Sequence, residues 1–216
     1  MKLYLLSGLG ADYRVFRRLK IQGVTTQLIE WIQPKKNESL ESYTQRLLPQ
    51  IQEETPIHLL GVSFGGIIAQ ELAKIKSCKS LTIISSVKSK EEYSLPLKIV
   101  RKIRIDKIVP ISVLKWLGKI SGPFFFGVSA KEEKIMLRGI MDDTEKEFLK
   151  WAIDKILTWE GNNHQRIYHI HGSADRIFPV RRLLNYQSIE KGGHLMIYNR
   201  AEEINRLVES EIKKGE

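Results

Sequence analysis

The stretch Pro56-Ile57-His58-Leu59-Leu60-Gly61-Val62-Ser63-Phe64-Gly65-Gly66-Ile67-Ile68-Ala69 constrains this chain more than any other. An apolar run meets Gly-x-Ser-x-Gly, and a helical pattern begins at once on the far side. Strand, sharp turn and helix in that order form a nucleophile elbow, which leaves Ser63 at the carboxyl end of a strand. So tight a turn strains the Ser backbone and brings residues two positions to either side into collision. Gly61 and Gly65 remove those collisions. A helix starting at Phe64 also turns the positive end of its dipole toward the Ser63 hydroxyl.

A serine hydroxyl is a weak nucleophile and needs a base, and the base needs an acid to orient it. After an elbow these follow in the order acid, then His. Arg166–Pro179 reads as a strand and then a loop carrying Asp175. Tyr186–Glu190 reads as one more short strand, and Lys191-Gly192-Gly193-His194 as the loop behind it. If these strands lie parallel to Ile57–Gly61, all three loops open at the carboxyl ends of one sheet, where open α/β sheets bind ligands.

These residues resemble the α/β-hydrolase family of serine hydrolases. The resemblance runs over nearly the whole chain. It rests on the elbow, on His171-Gly172-x-x-Asp175-x-x-x-Pro179 for the acid loop, on Gly193-His194 for the base, and on Ser7-Gly8-Leu9-Gly10 for an oxyanion loop. It implies a three-layer α/β fold with a mostly parallel sheet of about six strands and a helical cap insertion. It also implies a Ser63–His194–Asp175 triad, with the backbone N–H groups of Phe64 and Leu9 as the oxyanion hole. Two departures stand out. Ser7 takes the place where the family usually has His, and the chain starts on the strand Lys2–Leu6, as in an N-terminally shortened member with a smaller sheet. The activity implied is carboxylesterase- or thioesterase-like and needs no cofactor or metal. The partner expected is a small-molecule acyl substrate. A triad-bearing lyase, synthase or acyltransferase acting on an anionic metabolite is the alternative, and a non-catalytic binder on the same fold is the third.

A chain of 216 residues fits one domain with an insertion. We read 1–87 and 161–216 as the core and 88–160 as the cap, because strand patterns stop after Ser80–Ser85 and helical ones take over. Within the cap, Lys131–Met141 and Thr144–Leu157 read as helices, and Gly122–Gly127 as an apolar turn. In the core, Thr25–Ile32 reads as a second strand, Phe64–Ile75 as the helix after the elbow and Ala201–Lys213 as the last helix. Asp12 reads as one helix cap, and Ser39 or a neighbour as another. The apolar cap residues Phe124, Phe125, Phe126 and Trp116 are candidates for an acyl pocket, and Trp151 and Trp159 fit the same description.

The single cysteine, Cys78, excludes an intramolecular disulfide and fits a reducing, cytoplasmic location. No secretion signal or membrane-spanning run is visible. The net charge of +10 is concentrated: Leu97–Ile120 holds seven basic residues and one acid. No nucleic-acid signature accompanies it. Steering of anionic substrates and peripheral contact with anionic lipid compete with a third reading, a solvated helix face with Leu97, Val100, Ile103 and Ile108 turned inward. A monomer or a homodimer is expected. Among the other histidines, His58 and His169 read as core residues inside strands, His171 as shaping the acid loop, and His164 as part of a polar loop.

Overall fold

The computed structural model describes residues 1–54, 56–161 and 166–214; His164 lies outside them. Six strands form one sheet: β1 (Lys2–Leu6), β2 (Thr25–Leu28), β3 (Ile57–Val62), β4 (Cys78–Ile84), β5 (Ile167–Gly172) and β6 (Gln187–Ile189). Their order is β2-β1-β3-β4-β5-β6, and every pairing is parallel. Parallel strands buried on both faces need apolar residues in both registers. The chain supplies them. Tyr4 and Leu6 of β1 with Ile57 and Leu59 of β3 face one core, while Leu3, Leu5, Leu60 and Val62 face the other.

On the first face lie α1 (Leu40–Leu47) and α2 (Phe64–Ile75), on the second α8 (Met196–Asn199) and α9 (Ala201–Lys214). Ser39 caps α1 by accepting from the Ser42 N–H, and Asp12 accepts from the Arg14 N–H at the start of a short 3₁₀ turn. The second strand is shorter than its apolar pattern predicts. Its register with β1 ends at Leu28, the Ile29 N–H makes one last bond to the Leu5 carbonyl, and the chain then continues outside the ladder.

Between β4 and β5 the chain inserts α3 (Leu95–Ile103), α4 (Ile105–Ile108), α5 (Ile111–Phe125), α6 (Lys131–Asp143) and α7 (Lys146–Thr158). Two expectations fail here. Gly122-Pro123 does not break the chain direction: α5 runs through Pro123 to Phe125, and the turn falls at Phe126–Gly127, where Gly127 takes a positive φ of 68°. A proline removes one backbone donor, and a helix already within a turn of its end loses little by it. Nor do Ile103 and Ile108 turn inward, being 50% and 71% exposed.

The chain leaves β1 toward β2 and then crosses back to β3, so the direction of winding reverses between β1 and β3. That crevice, at the carboxyl ends of the two strands, is where an open α/β sheet binds its ligands.

Candidate active site

Two loops leave the sheet at the reversal, Ser7–Gly10 after β1 and Val62–Gly65 after β3. Ser63 sits at φ 53°, ψ −120°, a strained conformation for a residue with a side chain. The neighbours enforce it. The Ser63 N–H donates to the Ile84 carbonyl at 2.9 Å, and its own carbonyl accepts from the Gly66 N–H at 2.9 Å and the Ser86 hydroxyl at 2.7 Å. A Cβ on Gly61 would stand 2.3 Å from the Gly65 carbonyl oxygen, and one on Gly65 would stand 2.2 Å from that of Ser7. Neither position has room for any side chain.

The Ser63 hydroxyl lies 2.9 Å from His194 Nε2, and His194 Nδ1 lies 2.8 Å from Asp175 Oδ2. Asp175 and His194 are buried, whereas Ser63 keeps partial exposure. The other Asp175 oxygen accepts the N–H groups of Ile177 at 2.8 Å and Phe178 at 2.9 Å. Burial alone would raise the Asp175 pKa. The charge of His194 and the hydrogen bonds from His171 and His194 outweigh it and hold the carboxyl well below its ordinary range. An ionised Oδ2 accepts from Nδ1–H, which leaves the Nε2 lone pair facing the Ser63 hydroxyl.

A pair of further histidines stands behind Asp175, and the sequence pattern pointed to only half of it. His171 Nε2 lies 2.9 Å from the Phe178 carbonyl and 3.3 Å from Asp175 Oδ2. Both are acceptors, so Nε2 carries the hydrogen. His171 Nδ1 then accepts from His169 Nε2, 3.0 Å away. His169 is therefore not merely a core filler; its signal in the sequence was the alternation His169-x-His171, which puts both rings on one face of β5. Burial, joined by repulsion from His171 and Lys88, pushes its pKa down to about 2. His58 has a separate place, with Nδ1 2.8 Å from the Ser80 hydroxyl.

The Ser7–Gly10 loop lies against the elbow: a Cβ built on Gly8 would be 3.5 Å from that of Ser63. Ser7, where the family usually has His, donates its hydroxyl across the loop to the Ala11 carbonyl. Among the described residues, neither the Leu9 nor the Phe64 N–H donates to another backbone group. The Thr144 hydroxyl reaches the Gly10 carbonyl at 3.3 Å, and Arg14 bridges Asp12 and Asp143, so the α6–α7 junction fastens this loop from above.

The aromatic candidates separate. The Phe126 ring packs edge-on to His194 with centroids 5.2 Å apart, and its carbonyl accepts the Leu195 N–H. Phe124 lies under the Arg176 guanidinium and lines a cleft of about 780 Å³ beside the acid loop, together with Leu95, Pro96, Asp175, Arg181 and Arg182. Phe125 is 43% exposed and Trp116 59% exposed. Trp151 and Trp159 are buried. Trp151 donates to the Glu38 carbonyl and Trp159 to Glu71, so both fix α7 to the core. Cys78 is half-buried at the start of β4, and its burial raises the thiol pKa to about 11. A thiol so held is a poor nucleophile. Among the described residues no group of side chains is arranged to hold a metal ion, and no helix is long and apolar enough to cross a membrane.

No family model and no curated protein matches this sequence. Solved structures do. A thermophilic esterase from Thermogutta terrifontis superposes with a TM-score of 0.71 at 14% identity, covering 100% of this chain and 90% of its own. A putative non-heme bromoperoxidase from Mycobacterium tuberculosis H37Rv gives 0.71 at 15% identity, with 100% and 92% covered. A structure from a study of carboxylesterases of the thaumarchaeon Nitrososphaera gargenis gives 0.72 at 14% identity, with 99% and 90% covered.

Proposed function

We propose, starting from the α/β-hydrolase fold that this chain has, that it is a serine hydrolase cleaving a small or medium ester or thioester. The observation that carries this reading is the unbroken relay from Ser63 Oγ through His194 to Asp175 at the point where the sheet reverses its winding. His194 Nε2 takes the Ser63 proton as Oγ attacks the acyl carbon. The tetrahedral oxyanion lies against the N–H groups of Phe64 and Leu9; each such donor is worth about 3 kcal/mol in the transition state. As the tetrahedral species collapses, the bond to the leaving oxygen or sulfur breaks and that atom takes the proton from Nε2. Water then repeats the sequence on the acyl-enzyme, and Ser63 is regenerated. Every step uses side chains and backbone of this chain alone, with no cofactor.

Segment 88–160 serves in this reading as the cap, with Phe124 and Phe126 bordering the acyl group. The cleft beside the acid loop supports an anionic acyl substrate as a second reading, since Arg176, Arg181 and Arg182 all line it. That reading keeps open an acyl transfer or elimination on an anionic metabolite.

Labelling with a fluorophosphonate tests the nucleophile. Ser63 should be modified, and heat-unfolded protein should not be. Absence of labelling in the folded protein would favour a ligand binder without turnover. A panel of p-nitrophenyl esters and CoA thioesters then separates hydrolysis of neutral esters from chemistry restricted to anionic substrates.

A further inference from the structure

The helix α5 is built inside out. Val113, Trp116, Leu117, Ile120 and Phe124 recur at helical spacing, and all are 41–62% exposed. Its lysines point the other way. Lys115 donates to the Asp142 and Thr144 carbonyls, and Lys119 pairs with Asp142, all at the end of α6. An ordinary surface helix hides its apolar stripe and shows its charges. On α3 the same inversion recurs, with Leu95, Ile99 and Ile103 50–60% exposed, and α4 adds Ile108. All three helices pack on α7, which packs on α2. The stripes of α3 and α5 meet at one end, where Leu95 and Phe124 line the same cleft.

Contiguous exposed apolar surface of this extent marks an interaction face. Its rim is cationic. Arg101 and Arg104 are matched by Glu160, Asp106 and Asp154. Lys98 and Lys102 have no carboxylate partner among the described residues, and Lys107, 3.5 Å from Asp154, is still more than half exposed. Lys98 and Lys102 also share a shallow depression with Lys90 and Arg101, in which Glu91 is the one acid.

We propose that the α3–α5 face docks on an anionic lipid surface, with Trp116, Leu117, Ile120 and Leu95 entering the boundary between headgroups and acyl chains and Lys98, Lys102 and Lys107 meeting lipid phosphates. Trp, Phe, Leu and Ile on one face with Lys beside them is the composition of helices that lie in a membrane interface. A second copy of this chain fits less well. Self-association through this face would bring two cationic rims together in a protein that already carries +10.

Sedimentation with vesicles decides it. The intact protein should pellet with vesicles of phosphatidylglycerol and phosphatidylcholine and stay in solution with phosphatidylcholine alone. The Trp116 emission should shift to the blue on anionic vesicles, and Trp116→Phe should lose that shift. Val113→Gln/Leu117→Gln/Ile120→Gln should weaken binding about tenfold or more. Lys98→Gln/Lys102→Gln/Lys107→Gln should weaken it on the order of 100-fold at low salt, from roughly fivefold per lysine. These side chains are largely exposed, and circular dichroism with thermal midpoints verifies that the variants fold. The proposal is overturned if wild-type protein ignores anionic vesicles, or if the apolar variant binds them as well as wild type. It is equally overturned if the protein is a dimer that the apolar variant turns into a monomer, because the face then belongs to a second copy. Partition is read without any turnover, so it stands or falls apart from the hydrolase reading.

Discussion

Between β4 and β5 the described residues form five α-helices, and the two halves of this run are built on opposite patterns. The later half, α6 and α7, is sewn into the body of the protein. Leu137 and Ile140 join the core on one face of the sheet, while Phe148, Trp151, Ala152 and Trp159 join the core on the other. The earlier half, α3 to α5, places no large apolar side chain in either buried cluster; Leu97 packs against one from the edge. Helical periodicity is equally clear in both halves, so periodicity alone does not say which way a stripe points. Its direction is set by what stands opposite. The later half meets α2 and the Ser7–Gly10 loop, and the earlier half meets the outer sides of α6 and α7.

That contrast can be broken by mutation. The largest effect belongs to the sheet ends that both halves overlie. Ser63→Ala should lower kcat for an activated ester by on the order of 10⁴–10⁶ without altering the thermal midpoint, and adding His194→Ala should cost little more, because residues that act as one unit are not additive. Additive losses would dissolve the triad. In the later half, Trp151→Ala should destabilise the fold by about 3–5 kcal/mol in urea titration, since it empties a site packed by Tyr43, Phe64 and Phe148. A loss below about 1 kcal/mol would mean that α7 is an appendage like its neighbours.

A third effect is set by pH. His169 has a folded pKa far below the ordinary 6.5, so below pH 6.5 the unfolded chain binds one proton more than the folded one. Stability should therefore fall by about 1.4 kcal/mol per pH unit on acidification from 6.5. Asp175, also lowered, adds to the same trend only below its ordinary value of 3.8. His169→Gln should flatten the slope of stability between pH 6.5 and about 4.5; parallel slopes in the two proteins would refute the assignment. Smallest of all, Ile108→Ser in the earlier half should change stability by no more than about 0.5 kcal/mol, as expected for a side chain that touches little.

The sheet and the relay were legible because their signals are local and over-determined. Gly61, Ser63 and Gly65 specify one turn, and the buried runs on either side of it specify strand and helix. Asp175 and His194 stand in loops whose order along the chain matters, so they too could be found by reading forward. What escaped was whatever depends on a distant surface. Trp151 and Trp159 looked like lid residues and are core residues, because α1 and α2 lie against them. Ile103 and Ile108 looked like the inner side of an amphipathic helix, and nothing in their own segment reveals that they face outward. Thr25–Ile32 reads as a long strand, yet the ladder with β1 ends at Leu28, and beyond Ile29 the backbone of Glu30 and Ile32 bonds to the Gln50 and Tyr43 side chains instead of a strand.

The pairing of β4 with β5 has a consequence for the order in which this protein assembles. Leu81 lies beside Ile167, so the sheet cannot continue past β4 until the whole five-helix insertion has been looped out. Closing so long a loop is entropically costly and slows folding. The first four strands carry Ser63 and the Ser7–Gly10 loop, whereas Asp175 and His194 arrive with the last two. During synthesis the strained Ser63 emerges well before His194. Ser63, His194 and Asp175 come together only at the final closure, so in the function proposed above reactivity would be a mark of finished folding.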